Sequence, residues 1–251
     1  MVDPRLSIVN KRLAKVEKII AVSSGKGGVG KSLLASTLAL ILSRRGQRVG
    51  LLDLDFTSPS THVILNIEGL RPEEKEGIIP PRAHRMKYMS IIYYSRDEPT
   101  PLRGEDMSNA IIELFAITRW GALDFLVIDM PPGIGDATLD IIRLIKKIDF
   151  LIVTTPSKLA FETVNKLMRL LKDLRMPVIG IIENMKMEES NFIREKAGEH
   201  NIPYLGEIRF DRQLEASIGD VDKLLRTEFA QNLREIVSNR LRPRPRGRQT
   251  R

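Results

Sequence analysis

Apolar and polar positions follow two alternating patterns along this chain. Short apolar runs rich in β-branched residues are typical of buried strands, and they occupy residues 18–22, 47–54, 86–94, 123–130, 150–155 and 178–183. Longer segments with an apolar residue every three or four positions are typical of helices, and they occupy residues 4–16, 33–42, 104–118, 139–147, 159–174 and 229–241. Because strands that are apolar on both faces alternate with helices, the pattern predicts an α/β fold with a mostly parallel sheet covered by helices on both faces.

Two segments depart from this alternation. Residues 57–81 are polar and rich in Pro and Gly, which predicts a long loop. Residues 240–251 contain six arginines, two prolines and no acid, so we expect a disordered tail. No linker or repeat precedes the tail, and the sequence therefore predicts one domain from residue 1 to residue 239.

The strongest chemical signal follows the first predicted strand. Residues 25–32 match the phosphate-binding pattern G-x-x-x-x-G-K-[ST], and the helix predicted to follow them supplies the required strand, loop and helix context. The glycines let backbone N–H groups surround phosphate oxygens, and the helix N-terminus adds partial positive charge. We expect Lys31 to reach the β- and γ-phosphates and the Ser32 hydroxyl to bind Mg²⁺. The predicted nucleotide-binding residues of this loop are Gly25, Gly27, Gly28, Val29, Gly30, Lys31 and Ser32.

Three aspartates follow other predicted strands. Asp53 and Asp55 end the second strand and Asp129 ends the fourth. Because ligands of parallel α/β sheets lie beyond the carboxyl ends of the strands, these carboxylates should lie beside the glycine loop. We expect Asp53 and Asp129 to serve Mg²⁺ and Asp55 to position the water that attacks the γ-phosphate. The glycines of the 131–136 loop would let that loop move when the phosphate leaves.

Composition excludes several other chemistries. The 251 residues include no cysteine, so disulfides, thiolate metal sites and a cysteine nucleophile are excluded. The three histidines are not at a metal-ligand spacing, so we expect no tightly bound iron, zinc or nickel on the chain itself. Neither a signal-peptide pattern nor a membrane-spanning run is present, so we expect a soluble, cytoplasmic protein without a membrane span.

The net charge of +8 comes mainly from the tail. Its six arginines leave +2 for residues 1–239, so the folded part is nearly balanced. The tail has the charge to contact nucleic acid or anionic lipid, but a solubilising extension explains it as well. DNA binding through a basic folded surface is not indicated.

The motifs together resemble the MinD/ParA/Mrp family of P-loop ATPases, over residues 17–240. The second loop lysine, Lys26, resembles the signature lysine that reaches the partner's phosphates in a nucleotide-sandwich homodimer. The segments 53–60 and 123–136 are similar to the two switch regions of Mrp proteins. The resemblance implies an Mg²⁺-dependent ATPase that binds ATP and ADP, with Lys26, Lys31 and Asp55 catalytic and with Asn184 and Asp211 among the nucleotide-binding residues.

Several positions depart from that pattern. Iron–sulfur carriers of the Mrp type carry C-x-x-C after the Glu-Asn-Met stretch, whereas this chain has Lys186-Met-Glu-Glu189 there. Ser58 replaces a switch glycine, and Arg209 stands where relatives have a proline near adenine. The segments 100–104, 117–120 and 155–159 resemble the archaeal Mrp/MinD-type HypB branch. That resemblance implies nickel insertion into [NiFe] hydrogenase with a HypA-like metallochaperone partner.

Two other functions remain open on the sequence alone. An iron–sulfur assembly ATPase would borrow cluster ligands from another subunit. A MinD- or ParA-like positioning protein would need a membrane helix or a basic folded surface. The C-terminal stripe Phe229, Leu233, Ile236 and Val237 favours a core helix over a membrane helix.

Overall fold

A computed structural model of the chain describes residues 5–95 and 105–240. Its central sheet has eight strands in the order β10-β9-β8-β1-β7-β2-β6-β5, and every pairing is parallel except that of β5 with β6. The predicted α/β class with a mostly parallel sheet is confirmed. The strands are β1 Val16–Ser24, β2 Val49–Asp53, β5 Arg82–Ala83, β6 Met86–Ser90, β7 Leu123–Asp129, β8 Asp149–Thr154, β9 Val178–Lys186 and β10 Tyr204–Arg209, with β3 Glu73–Glu74 and β4 Ile78–Ile79 forming a separate antiparallel pair.

Helices cover both faces of this sheet. Alternate residues of β1 belong to different cores, since Ile19 and Ala21 pack in one apolar cluster and Ile20 and Val22 in the other. Strands buried on both faces therefore carry apolar residues at consecutive positions rather than at alternate ones. The helices are α1 Arg5–Leu13, α2 Lys31–Arg44, α3 Thr61–Ile64, α4 Ile92–Ser95, α5 Glu105–Ile117, α6 Asp136–Leu144, α7 Lys158–Asp173, α8 Phe192–Glu199, α9 Val221–Leu224 and α10 Glu228–Arg240, with a 3₁₀ turn at Glu215–Ser217.

The C-terminal helix α10 belongs to the core. Its stripe of Phe229, Leu233, Ile236 and Val237 is buried in the cluster that also contains α2. Among the residues described by the structure, no helix is both long and apolar enough to cross a membrane. The prediction of a core helix at this position is confirmed.

Several predicted boundaries were wrong. The first helix ends at Leu13, because Val16 pairs with Leu123 and begins β1. The strand predicted over 86–94 ends at Ser90, whose hydroxyl accepts a hydrogen bond from the Ile92 N–H as the chain turns into α4. The predicted 57–81 loop contains α3, β3 and β4. Sequence reasoning also missed α8 and β10.

Some predictions fall outside the described residues. They are the 100–104 motif and, beyond the backbone of Arg240, the Arg-rich tail. The division into a 1–239 domain and a 240–251 tail stays a prediction.

The strand order determines where the site lies. β7 lies between β1 and β2, so the loop after β1 has the ends of both other strands beside it. In register, Asp129 pairs with Val22 on one side and with Asp53 on the other. Three sequence-distant segments thus meet at the carboxyl edge of the sheet.

Candidate nucleotide site

The glycine loop adopts a backbone that depends on glycine at two positions. Gly28 has φ +77° and Gly30 has φ +85°, both in the left-handed region that side chains disfavour. Helix α2 begins directly afterwards at Lys31, so its N-terminal N–H groups point toward the loop. This loop and helix have the backbone geometry that an anion cradle needs, and anion binding by residues 25–32 stays a prediction.

Two further glycines permit close packing around the loop. A Cβ on Gly25 would lie 2.5 Å from Thr163 Oγ1 in α7, so any side chain there would collide. Gly133, with φ +82°, lies in the loop after β7, and its N–H donates to the Ser24 carbonyl at 3.0 Å. The loop after β7 is thereby held against the start of the glycine loop.

Lys31 is the centre of the charged cluster. Its Nζ lies 2.7 Å from Asp129 Oδ1, 3.6 Å from Asp55 Oδ2 and 3.3 Å from Ser32 Oγ. The lysine is only 5% exposed, so these interactions are screened little by water. The structure brings together Lys31, Ser32, Asp55 and Asp129 as the sequence predicts.

Asp129 is buried and incompletely satisfied. Burial raises the pKa of Asp129 to about 7, even though Lys31 opposes the shift. Its Oδ2 atom has no hydrogen-bond partner among the described residues. Because Mg²⁺ typically takes one or two carboxylates and completes its shell with water and phosphate, this oxygen beside Ser32 fits an Mg²⁺ site.

Asp53 differs from Asp129 because protein groups already occupy both of its oxygens. Oδ1 accepts a hydrogen bond from the Asp55 N–H at 3.0 Å, and Oδ2 accepts from the N–H and hydroxyl of Thr61 at 3.2 and 2.7 Å. The Thr61 hydroxyl also lies 2.9 Å from the Tyr88 hydroxyl. Burial raises the pKa of Asp53, and the Thr61 hydroxyl opposes this. Sequence reasoning missed Thr61 and Tyr88, and no motif marks either of them.

Asp55 is held by a turn of its own loop. Its Oδ1 accepts hydrogen bonds from the Thr57 hydroxyl at 2.7 Å and from the N–H groups of Thr57 and Ser58 at 3.2 and 3.1 Å. The other oxygen, Oδ2, is directed toward Lys31. One oxygen therefore anchors the turn while the second remains available to the site.

Lys26 occupies the exposed part of the loop. Its side chain makes no hydrogen bond or ion pair with any residue within the described ranges, although its carbonyl accepts a bond from the Ser24 hydroxyl at 2.9 Å. A long cation in this position can extend away from its own loop.

The predicted base-contact residues lie on β9 and after β10. Asn184 is buried, donates from Nδ2 to the Val29 carbonyl at 2.9 Å, and has an Oδ1 atom without a partner in the described structure. An unpaired acceptor beside the loop suits a donor such as the amino group of adenine. Asp211 instead accepts from the Gln213 N–H at 2.9 Å, and Arg209 pairs with Glu189 at 3.0 Å.

The fold and site define a nucleotide-binding P-loop protein. A solved nucleotide-binding protein from Archaeoglobus fulgidus, in complex with ADP, is 31% identical, with a TM-score of 0.74, and the match covers 87% of this chain and 92% of that one. The MinD protein of Pyrococcus horikoshii complexed with Mg-ADP has a TM-score of 0.65 over 88% of this chain and 95% of its own, but at 19% identity it shows the fold alone.

The chain belongs to the ParA family, because the family described as NUBPL iron-transfer P-loop NTPase matches residues 15–241. A protein named iron–sulfur cluster carrier protein from Pseudomonas fragi is 44% identical over 178 residues, which are 69% of this chain and 62% of that protein. One of the same name from Aquifex aeolicus is 40% identical over 70% of this chain and 49% of its own length. The chain thus matches only about half to two thirds of these relatives.

These relatives correct one prediction. The HypB-type assignment, with nickel and a HypA-like partner, receives no support, because the matched family and the relatives above are named for iron or iron–sulfur clusters. The resemblance in the 117–120 and 155–159 segments was too weak to distinguish the HypB-type branch from neighbouring branches of the same family.

Proposed function

We propose that the protein is an Mg²⁺-dependent ATPase that acts as a nucleotide-driven dimeric switch in iron–sulfur cluster assembly. The observation that carries this proposal is the convergence of Lys31, Asp55 and Asp129 at one sheet edge. The names of the relatives supply the class of cargo. In this proposal the cluster is the substrate that the switch handles, rather than a resident cofactor.

The roles within the site follow from which atoms are already engaged. Lys31 and the loop N–H groups bind phosphates, while Ser32 and Asp129 hold Mg²⁺, which neutralises phosphate charge when bound. Asp53 acts on the metal through its water shell, because its own oxygens hold the Asp55 turn and Thr61. Asp55 Oδ2 orients the attacking water.

Dimer formation depends on Lys26 in this proposal. Lys31 already supplies one lysine to the proposed phosphate site, where its ammonium group contacts Asp129, and the exposed Lys26 side chain makes no hydrogen bond or ion pair with the described residues there. Closing two copies face to face gives each Lys26 the other copy's phosphates as a partner. ATP then favours the closed dimer, and hydrolysis releases it.

The cargo must be held with help from another protein. The chain has no cysteine, and in the described residues no group of three or more His, Asp or Glu side chains is arranged to hold a metal ion. Iron–sulfur clusters are normally held by thiolates. We therefore infer that a partner supplies the thiolates and that nucleotide state changes the affinity for this partner, typically by about 5–150-fold.

Deletion of the gene in its source organism tests the proposed cargo. We expect iron–sulfur enzymes to lose iron and activity. The wild-type gene should restore both, whereas Asp55→Ala should not, and Lys146→Ala, a surface change away from the site, should restore them like wild type. Iron–sulfur enzymes that keep their iron in the deletion strain would contradict the proposal.

A further inference from the structure

A second cleft lies at the opposite edge of the sheet from the nucleotide site. Its residues adjoin the amino ends of parallel strands β1, β6 and β7, whereas the glycine loop follows the carboxyl end of β1. The cleft has a volume of about 560 Å³. We call it the basic cleft because five cationic residues line it, together with Trp120: Lys11, Arg12, Lys15, Lys87 and Arg119.

Backbone carbonyls fix three of these cations without neutralising them. Lys87 Nζ donates to the Trp120 carbonyl at 2.6 Å, and Arg119 Nη1 donates to the Lys75 carbonyl at 2.7 Å. Arg12 Nε donates to the Ala116 carbonyl at 3.0 Å. A carbonyl is a dipole rather than a charge, so the positive charge of the cleft remains.

The described residues that line the cleft include no carboxylate. Glu76 is 3.9 Å from Arg119 with its side chain 89% exposed, and Glu17 acts on Arg48. The pKa of Lys87 is lowered, by burial first and then by repulsion from Arg82 and Arg119. The cations therefore repel one another, and a bound anion would relieve that repulsion.

The shape and floor of the cleft indicate a small ligand. Its volume lies within the range of roughly 300–1,000 Å³ that is usual for small-molecule sites. The Trp120 side chain adjoins the cleft and is fully buried. Ile8 and Ile79 form an apolar part of the cleft wall. We propose that the basic cleft binds a small organic polyanion that carries several phosphate or carboxylate groups.

Trp120 provides a direct test, since it is the single tryptophan of the chain. The protein is first saturated with Mg-ADP so that the glycine loop is filled. Fructose 1,6-bisphosphate and tricarballylate are then titrated separately while Trp120 fluorescence is recorded. We expect a saturable change, and the tighter of the two probes identifies phosphate or carboxylate as the recognised group.

Two double variants that remove the same charge distinguish specific binding in the cleft from non-specific electrostatic attraction. Lys11 and Lys15 are exposed, so Lys11→Ala with Lys15→Ala should fold normally and weaken binding about tenfold or more. Lys146→Ala with Lys147→Ala removes the same charge from exposed positions before β8 and should change affinity less than about twofold. ADP affinity should be unchanged in both.

Three results would overturn the proposal. The first is no fluorescence change with either probe up to about 10 mM, which is weaker than a specific site requires. The second is equal weakening by the two lysine pairs. The third is tighter binding of a short duplex DNA or RNA that depends on Lys11 and Lys15, because the cleft would then belong to a nucleic-acid surface.

Discussion

Thr61→Val tests the buried contact that joins the switch loop to the sheet. Asp53, Thr61 and Tyr88 are all fully buried, and the Thr61 hydroxyl bonds both other side chains. Valine nearly preserves the shape of threonine while removing the hydroxyl. The change leaves a buried carboxylate and a buried phenol each with one partner fewer.

The expected loss of stability follows from the two hydrogen bonds of the Thr61 hydroxyl. A hydrogen bond to a charged group is worth about 1.5–3 kcal/mol and a neutral one about 0.5–1.5 kcal/mol. We therefore expect Thr61→Val to lower the free energy of unfolding by about 2–4.5 kcal/mol. For a chain of this size the melting temperature should fall by roughly 4–18 °C.

Urea denaturation followed by circular dichroism measures the effect, with two matched controls. Thr61→Ser keeps the hydroxyl and should lose about 1 kcal/mol, from its missing methyl group. Tyr88→Phe keeps the Thr61–Asp53 bond and should also lose about 1 kcal/mol. The reasoning is refuted if Thr61→Val stays within about 0.5 kcal/mol of wild type, or if Thr61→Ser is equally destabilised.

Four other outcomes follow from the site. Asp55→Ala should bind ATP but hydrolyse it on the order of 10²–10⁴-fold more slowly in a phosphate-release assay, and a normal rate would remove the water-positioning role. Lys26→Ala should bind nucleotide yet lose the ATP-dependent dimer in light scattering, whereas a persisting dimer would rule out the cross-subunit contact. Gly30→Ala should abolish ADP binding in calorimetry, because its Cβ would lie 2.3 Å from Asn184 Nδ2 at a φ of +85°, and wild-type affinity would show that the loop adapts. Protein purified without an affinity tag should contain no stoichiometric iron, zinc or nickel by elemental analysis, and finding any would contradict the proposal that a partner supplies the cluster ligands.

The parts of the fold predicted from sequence are those with strong local signals. A buried parallel strand such as Leu123–Asp129 has the apolar run Phe125–Ile128 at its centre, and the glycine loop has a fixed spacing. β10 was missed because only Ile208 among its residues is buried, so its sequence lacks that apolar run. The short elements within 57–81 depend on tertiary contacts that local patterns do not encode.

The candidate site shows the same division. Asp129 could be proposed as a site residue because it follows a clear apolar strand, and such strand ends lie near the glycine loop. The role of Thr61 could not be predicted, because it depends on Tyr88, which lies 27 residues further along the chain and in a different element. The basic cleft likewise combines α1, β6 and the connection before β7, and charge counted along the sequence was dominated by the tail.

The contacts of Lys31 indicate how one bound phosphate would affect both switch loops. Its ammonium group contacts Asp129, at the end of β7, and Asp55, at the start of the loop after β2. If the Lys31 ammonium group moves toward a bound phosphate, Asp55 and Asp129 each lose this attraction. Asp129 then becomes available to a metal. The Asp55 N–H also donates to Asp53, and Asp53 accepts from Thr61, so a shift of the Asp55 turn would reach the Thr61–Tyr88 contact through Asp53. Redistribution of this one lysine charge would therefore connect a bound phosphate to two separate loops.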